Sequence, residues 1–181
     1  MYTLAIDTGK HLAAALLSPD GTLRAMYYQH ETCFQKSDVE ELGRRLVHEL
    51  LAESDATPDR LEIVIEVPSH RYFGRGNASA VLKAMWQGMR LFLFFQGRVR
   101  KVALMPADKW NKQRNDKQKR RLFNHTFPDY KKIDYYQEKH GGRSNAHERD
   151  AALLAKFWYD TQKLSRRADG RGTLPEFGDS K

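Results

Sequence analysis

The sequence predicts an α/β protein with a five-stranded mixed β-sheet flanked by helices. Two patterns support this prediction. At the N-terminus, three short apolar stretches follow one another with only turns between them, which is typical of antiparallel strands. After them, helical stretches alternate with two strand-like apolar runs, which is typical of parallel strands joined by crossover helices. One sheet with both kinds of pairing accommodates both patterns.

The first strands are predicted at residues 2–9, 10–19 and 22–30, with the turn SPDG between the second and the third. A crossover helix at residues 37–54 begins with a capping box, Ser37 with Glu40. Its apolar residues keep helical spacing, so one face of this helix should pack on the sheet.

The stretch IVIEVP at residues 63–68 places a carboxylate near the end of an apolar run. The run is typical of a strand covered on both faces, and Pro68 marks its exit into a loop. Glu66 therefore lies at the carboxyl end of a strand, the edge at which open α/β sheets bind ligands. From this residue alone, the alternative is a Glu66 that faces solvent or pairs with an arginine.

The remaining elements complete the fold prediction. Residues 78–95 form a helix with more apolar surface than one sheet face needs, which indicates a central helix or a dimer contact. A short strand at 100–106, helical turns at 107–113, a basic helix at 116–127 and a last helix at 144–164 follow. This order of strands and helices is that of the ribonuclease H-like fold.

The 181 residues suffice for one domain, predicted at residues 1–164, and the polar composition of residues 165–181 predicts a flexible, basic C-terminal tail. The single cysteine, Cys33, excludes an intrachain disulfide framework and a multi-cysteine zinc site. The N-terminus does not resemble a signal peptide, and no apolar run is long enough to span a bilayer. We therefore expect a cytoplasmic protein with no membrane partner.

The net charge of +8 is concentrated in residues 98–121, which hold ten Lys and Arg residues and two Asp residues. A focused basic stretch within a folded region is typical of a surface that binds nucleic acid, because each neutralised phosphate releases counterions. A solvated charged face without a partner is the alternative. The candidate nucleic-acid contacts in this stretch are Lys109, Lys112, Arg114, Lys117, Lys119 and Arg120, and the loop after Glu66 adds Arg75.

Four candidate site residues, Asp7, Glu66, His147 and Asp150, should meet at one edge of the predicted sheet. The strand ending at Asp7 should lie beside the strand ending near Glu66, and His147 and Asp150 share one face of the last helix. A lone helical histidine is more often a surface residue, but its spacing from Asp150 favours the site.

Clustered carboxylates repel one another, so such a cluster is stable at neutral pH mainly when it holds divalent cations, here Mg²⁺ or Mn²⁺. Two such ions can activate a water and stabilise the leaving 3′-oxygen of a phosphodiester, which leaves a 5′-phosphate.

The segments LAIDTG, IVIEVPSHRYFGRGNASAV, KVALMPADKWNKQRNDKQKRRLF and NAHERDAALLA resemble, in this order, the RuvC-type Holliday-junction resolvases over most of residues 1–160. The resemblance implies a homodimeric, Mg²⁺-dependent endonuclease of the ribonuclease H-like superfamily that nicks four-way DNA junctions in two opposed strands. It also implies two metal ions per site, with Mn²⁺ as a substitute. The implied ligands are Asp7, Glu66, His147 and Asp150.

The same resemblance implies roles in DNA contact outside the carboxylate cluster. Lys109 and Lys117 would lie near the scissile strand, and Tyr72 or Phe73 would help distort the junction.

Other interpretations remain open. The first strand and its glycine also resemble the phosphate loop of sugar kinases and actin-like ATPases, but that fold needs two domains. A ribonuclease H-fold nuclease that acts on RNA is a second alternative. A non-catalytic protein that binds branched or single-stranded DNA through its basic face and aromatic residues is a third. Binding alone would not require all four candidate ligands, which favours the enzyme.

We expect that replacing Lys117 and Lys119 with alanine weakens binding to a four-way junction and reduces the dependence of the binding constant on salt, since two phosphate contacts are lost. Binding titrations at several salt concentrations measure this slope. An unchanged slope would remove the basic segment from the interface.

Overall fold

The computed structural model describes residues 1–8, 11–29, 39–52, 54–69, 78–111, 114–133 and 145–169. The strands are β1 (Tyr2–Asp7), β2 (Leu12–Leu17), β3 (Leu23–Gln29), β4 (Leu61–Val67) and β5 (Lys101–Pro106). The helices are α1 (Val39–Leu51), α2 (Ala78–Phe95), α3 (Ala107–Asn111), α4 (Asp116–Thr126) and α5 (Ala146–Asp169). Short 3₁₀ turns stand at Pro58–Arg60 and Tyr130–Lys132.

The strands form one sheet in the order β3-β2-β1-β4-β5. β1 pairs with β2, and β2 with β3, in antiparallel orientation, whereas the β1–β4 and β4–β5 pairs are parallel. The predicted five-stranded mixed sheet is therefore confirmed, and the architecture is ribonuclease H-like. β1 is the central strand, and its last residue, Asp7, lies opposite Glu66 in the parallel register.

Helices cover both faces of the sheet because side chains alternate along β1. Leu4 and Ile6 are fully buried in one apolar cluster with residues of α1 and α2. Ala5 belongs to a second cluster, on the opposite face, with residues of α3, α4 and α5.

Small side chains line the contact between α5 and the centre of the sheet, where a helix backbone can approach closely only if few atoms intervene. The fully buried alanines on this face are Ala5, Ala13 and Ala15 of the strands and Ala151, Ala152 and Ala155 of the helix. This close contact positions the first turns of α5 near the end of β1.

α5 begins with a capping box at Asn145. The Asn145 side chain accepts a hydrogen bond from the Glu148 backbone N–H at 2.9 Å, and the Glu148 carboxylate accepts one from the Asn145 backbone N–H at 2.9 Å. The helix runs to Asp169, beyond the predicted end at residue 164. Its last turn contains Arg and Ala, which favour helix. The rest of the predicted tail, 170–181, lies outside the described residues.

Across the described ranges, none of the helices combines the length and the apolar character that crossing a membrane requires.

Candidate active site

Asp7 and Glu66 form the base of the candidate site, at the ends of two adjacent strands. They are directly paired in the register of β1 with β4, and the Asp7 side chain is only 8% exposed. The hydroxyl of Thr8 donates a hydrogen bond to the Glu66 carbonyl oxygen at 2.8 Å. The Trp110 indole Nε1 donates one to Glu66 Oε2 at 2.9 Å. Strand pairing thus holds the two carboxylates side by side, and α3 restrains one of them.

α5 brings His147 and Asp150 to the same place. His147 Nδ1 lies 3.2 Å from Asp7 Oδ2. Asp150 is close enough to the other carboxylates for its charge to raise the pKa of Glu66 and for the charge of Asp7 to raise the pKa of Asp150. The structure therefore brings together all four residues selected from the sequence, while their roles as ligands or catalysts stay predictions.

The pKa values show how crowded this cluster is. Burial raises the pKa of Glu66 well above its usual range, and the charges of Asp7 and Asp150 raise it further. Burial also raises the pKa of Asp150, against the opposing effect of Lys119. A hydrogen bond with Asp7 raises the pKa of His147. Such a cluster gains stability from added positive charge.

Lys119 supplies positive charge from within the protein. Its Nζ lies 2.5 Å from Asp150 Oδ2, and the Lys119 and Asp150 side chains are 13% and 18% exposed. Lys119 was selected from the sequence as a DNA contact, and the structure places it in the carboxylate cluster; its contact with DNA stays a prediction. Of the two lysines in the double variant, Lys117 is the one exposed in the free protein.

The other predicted DNA contacts differ in how exposed they are. Lys109, Lys117 and Arg120 are exposed on α3 and α4. Arg114 is half-buried, and its Nη1 donates to the backbone carbonyls of Trp110 and Asn111, each at 3.3 Å, so it caps the end of α3. The remaining predicted contacts, Tyr72, Phe73, Arg75 and Lys112, lie outside the described residues.

The carboxylate oxygens and the imidazole nitrogen of the four candidate residues are suitable ligands for hard divalent cations. Three carboxylates and an imidazole meet at the strand ends, and two of the carboxyls have raised pKa values because burial and mutual repulsion disfavour their charges. In the arrangement described, no three His, Cys, Asp or Glu side chains already converge as ligands of one ion. The carboxylate oxygens are instead engaged by Trp110, His147 and Lys119.

Two aromatic residues near the site were not selected from the sequence. The Tyr28 ring stacks on the His147 ring, with centroids 6.1 Å apart and 15° between planes. The His11 ring lies 5.6 Å from each of them. His11 precedes β2 and lies close to the end of β1 in the sequence. This position could have marked it as a residue near the site. Trp110 was also not selected as a site residue, although an aromatic residue within a basic stretch could have marked it as one.

The chain has a ribonuclease H-like fold with an acidic cluster at the carboxyl ends of β1 and β4. No protein-family model matches the sequence. No curated protein matches it either.

Solved structures resemble the chain in fold. RuvC of T. thermophilus, solved in complex with a Holliday junction substrate, superposes with a TM-score of 0.54 at 11% identity, covering 91% of this chain and 97% of that chain. The yeast mitochondrial Holliday junction resolvase superposes with a TM-score of 0.53 at 16% identity, covering 93% of this chain and 81% of that chain. The chain therefore shares the fold of these two proteins.

We expect that Glu66→Gln stabilises the protein in a chelating buffer near pH 8. Because the pKa of Glu66 is raised by folding, the folded protein binds this proton more tightly than the unfolded chain does. Stability is therefore lost as the pH rises from the usual carboxyl pKa towards the raised one, and a neutral side chain avoids that loss. Thermal unfolding should show a Tm higher by about 2–4 °C for each kcal/mol recovered.

The difference in Tm should shrink as the pH falls towards 4.5, the usual pKa of this side chain. Glu41→Gln, at an exposed position on α1, is the control and should leave the pH profile unchanged. A Glu66→Gln protein that is no more stable at any pH would contradict this account.

Proposed function

We propose that this protein is a structure-selective DNA endonuclease that resolves four-way junctions by paired, metal-dependent phosphodiester hydrolysis, leaving 5′-phosphates. The observation that carries the proposal is the cluster of Asp7, Glu66, His147 and Asp150 at the carboxyl ends of the central strands. The resolvase fold of the two solved structures supports it.

The position of the charges also supports a nucleic-acid substrate. Lys109, Lys117 and Arg120 are exposed on the two helices, α3 and α4, that reach the cluster through Trp110 and Lys119. A phosphodiester bound by these cations would lie beside the carboxylates. The proposed partner is therefore branched DNA.

Asp7, Glu66, His147 and Asp150 are the residues that would hold Mg²⁺, or Mn²⁺ in its place. When bound, such cations activate a water and stabilise the leaving 3′-oxygen. The protein contributes by fixing the carboxylates: Asp7 through β1, Glu66 through β4 and Trp110, and Asp150 through α5. His147 is 35% exposed, so its ring can also contact the scissile phosphate.

Lys119 gives the site a built-in counter-charge. Its ammonium group neutralises Asp150 in the free protein. A DNA phosphate is a competing anion for that ammonium group, so arrival of the substrate would weaken the contact between Lys119 and Asp150. Lys119 would then move from a carboxylate partner to a phosphate partner.

A homodimer would supply the two opposed cuts, because a four-way junction presents two equivalent strands related by a two-fold axis. α2 offers a surface for it, an exposed apolar stripe spaced four, three and four residues apart. The exposed fractions of its members are Leu82 56%, Trp86 67%, Met89 40% and Leu93 60%.

Cleavage of a labelled four-way junction in Mg²⁺, with linear duplex and RNA–DNA hybrid as controls, tests the function. We expect paired nicks on the junction only. Asp150→Asn should lower the rate by more than about 100-fold, beyond the usual effect of outer-shell residues, and should keep junction binding. Asp160→Asn, an exposed position on the same helix, should cut like the wild type.

Each failure of this experiment identifies a different alternative. Tight binding without cleavage in Mg²⁺ or Mn²⁺ would indicate a non-catalytic DNA-binding protein. Cleavage of the hybrid instead of the junction would indicate a nuclease that acts on RNA.

We expect Trp86→Glu to convert a dimer to a monomer, because a charge in the centre of the apolar stripe would be buried without a partner. Sedimentation velocity measures the oligomeric state. Leu164→Glu is the matched control, since Leu164 is an equally exposed apolar residue, at 66%, on α5. A wild-type protein that sediments as a monomer, or a Trp86→Glu dimer, would exclude α2 as the interface.

A further inference from the structure

Trp110 of α3 contacts the carboxylate cluster through a hydrogen bond. Its side chain is 3% exposed, and its indole Nε1 donates to Glu66 Oε2 at 2.9 Å. The Nζ of Lys119 lies 5.8 Å from the centroid of the same ring. One buried side chain therefore contacts both a carboxylate and the internal cation of the site.

We propose that Trp110 is a positioning residue, which orients the Glu66 carboxylate through its indole N–H and supports Lys119 with its ring. The proposal rests on the proposed endonuclease function, because only there does the orientation of Glu66 affect a reaction. The donor lies 44 residues away from Glu66 along the chain, so this contact depends on the fold of the sheet and α3.

The backbone around Trp110 is itself held in place, as a positioning role requires. α3 follows β5 directly, and β5 pairs in parallel with β4, the strand that carries Glu66. At the other end of α3, Arg114 donates to the carbonyl oxygens of Trp110 and Asn111. The indole is therefore attached to the same sheet as the carboxylate that it contacts, so the distance between them is fixed by the core.

The hydrogen bond also has the chemistry expected of an outer-shell contact to a ligand. It leaves the second Glu66 oxygen for other partners and favours the ionised carboxylate, in opposition to burial. A tryptophan with a purely structural role needs only some acceptor for its N–H. Here the acceptor is a carboxylate of the candidate site.

The chain contains a matched control for this contact. Trp158 is also buried, at 7% exposure, and belongs to the same apolar cluster. Its Nε1 donates to the carboxylate of Glu62, at the opposite end of β4, at 3.4 Å. The Nζ of Lys101 lies 5.0 Å from the Trp158 ring centroid. Trp158 thus makes the same kinds of contact as Trp110, but away from the site. Trp158→Phe therefore measures how much stability is lost when a buried indole is replaced.

The hydrogen bond can be tested without metal or substrate. The chain has three tryptophans, so a ¹H–¹⁵N spectrum shows three indole signals, which single Trp→Phe variants assign. Glu66→Gln should move the Trp110 signal and leave that of Trp158 in place, with the exposed Trp86 as a reference. An unmoved Trp110 signal would overturn the proposal.

The functional part compares Trp110→Phe with Trp158→Phe, after thermal unfolding shows that both variants fold. We expect Trp110→Phe to weaken Mn²⁺ binding, measured by calorimetry, and to raise the Mg²⁺ concentration for half-maximal junction cleavage, each by about tenfold or more. Trp158→Phe should change neither. Equal effects in the two variants would overturn the proposal, because the indole would then act only through stability.

The outcomes separate this proposal from the proposed function. Weaker Mn²⁺ binding in Trp110→Phe, with no cleavage of any junction by the wild type, would reject the endonuclease and keep Trp110 as a residue that orients a ligand. A wild type that neither binds Mn²⁺ nor cuts DNA would overturn both. If Trp110→Phe does not fold, Trp110→His replaces it, because histidine keeps an aromatic N–H. We expect Trp110→His to bind Mn²⁺ more tightly than Glu66→Gln does. Equal Mn²⁺ affinity of these two variants would count against the proposal.

Discussion

The parallel pairing of β1 with β4 is the constraint on which the candidate site depends. Its register places Asp7 opposite Glu66, and a slip of one residue would turn one of the carboxylates to the other face of the sheet. Fully buried apolar residues along both strands fix that register from both sides: Leu4, Ala5 and Ile6 of β1 and Ile63, Val64 and Ile65 of β4. The core therefore stabilises an arrangement of charges that the two carboxylates alone would oppose.

The protein offsets this repulsion with three separate donors. His147 of α5 faces Asp7, Trp110 of α3 donates to Glu66, and Lys119 of α4 contacts Asp150. Because each donor comes from a different helix, the packing of α3, α4 and α5 on one face of the sheet is coupled to the electrostatics of a single site. Burial, together with the neighbouring carboxylates, still raises the pKa values of Glu66 and Asp150.

Much of the fold could be predicted because its signals are local. Short apolar runs separated by turns define the meander, and the order of later elements leaves few topologies. The carboxylates could be selected for the same reason: Asp7 and Glu66 end apolar strands, and His147 and Asp150 have helical spacing.

The donors could not be predicted, since their roles depend on contacts between distant parts of the chain. Residues 98–121 contain ten basic residues, and nothing in their order shows that Lys119 turns inwards while Lys117 and Arg120 remain exposed. The contact of Trp110 with Glu66 and that of Tyr28 with His147 likewise exist only once the sheet has formed.

α4 carries residues for both parts of the proposed function, DNA binding and the carboxylate cluster. A capping box at Asn115 and Gln118 fixes its start, and Phe123 anchors it in the core. Within its first two turns it carries Lys117 and Arg120 on the surface and Lys119 against Asp150. A polyanion that binds the outer pair must therefore approach within a helix diameter of the inner lysine, and its field acts on the contact between Lys119 and Asp150. Under the proposed function, substrate binding and the state of the carboxylate cluster would be linked through this helix, and the basic segment would do more than add affinity.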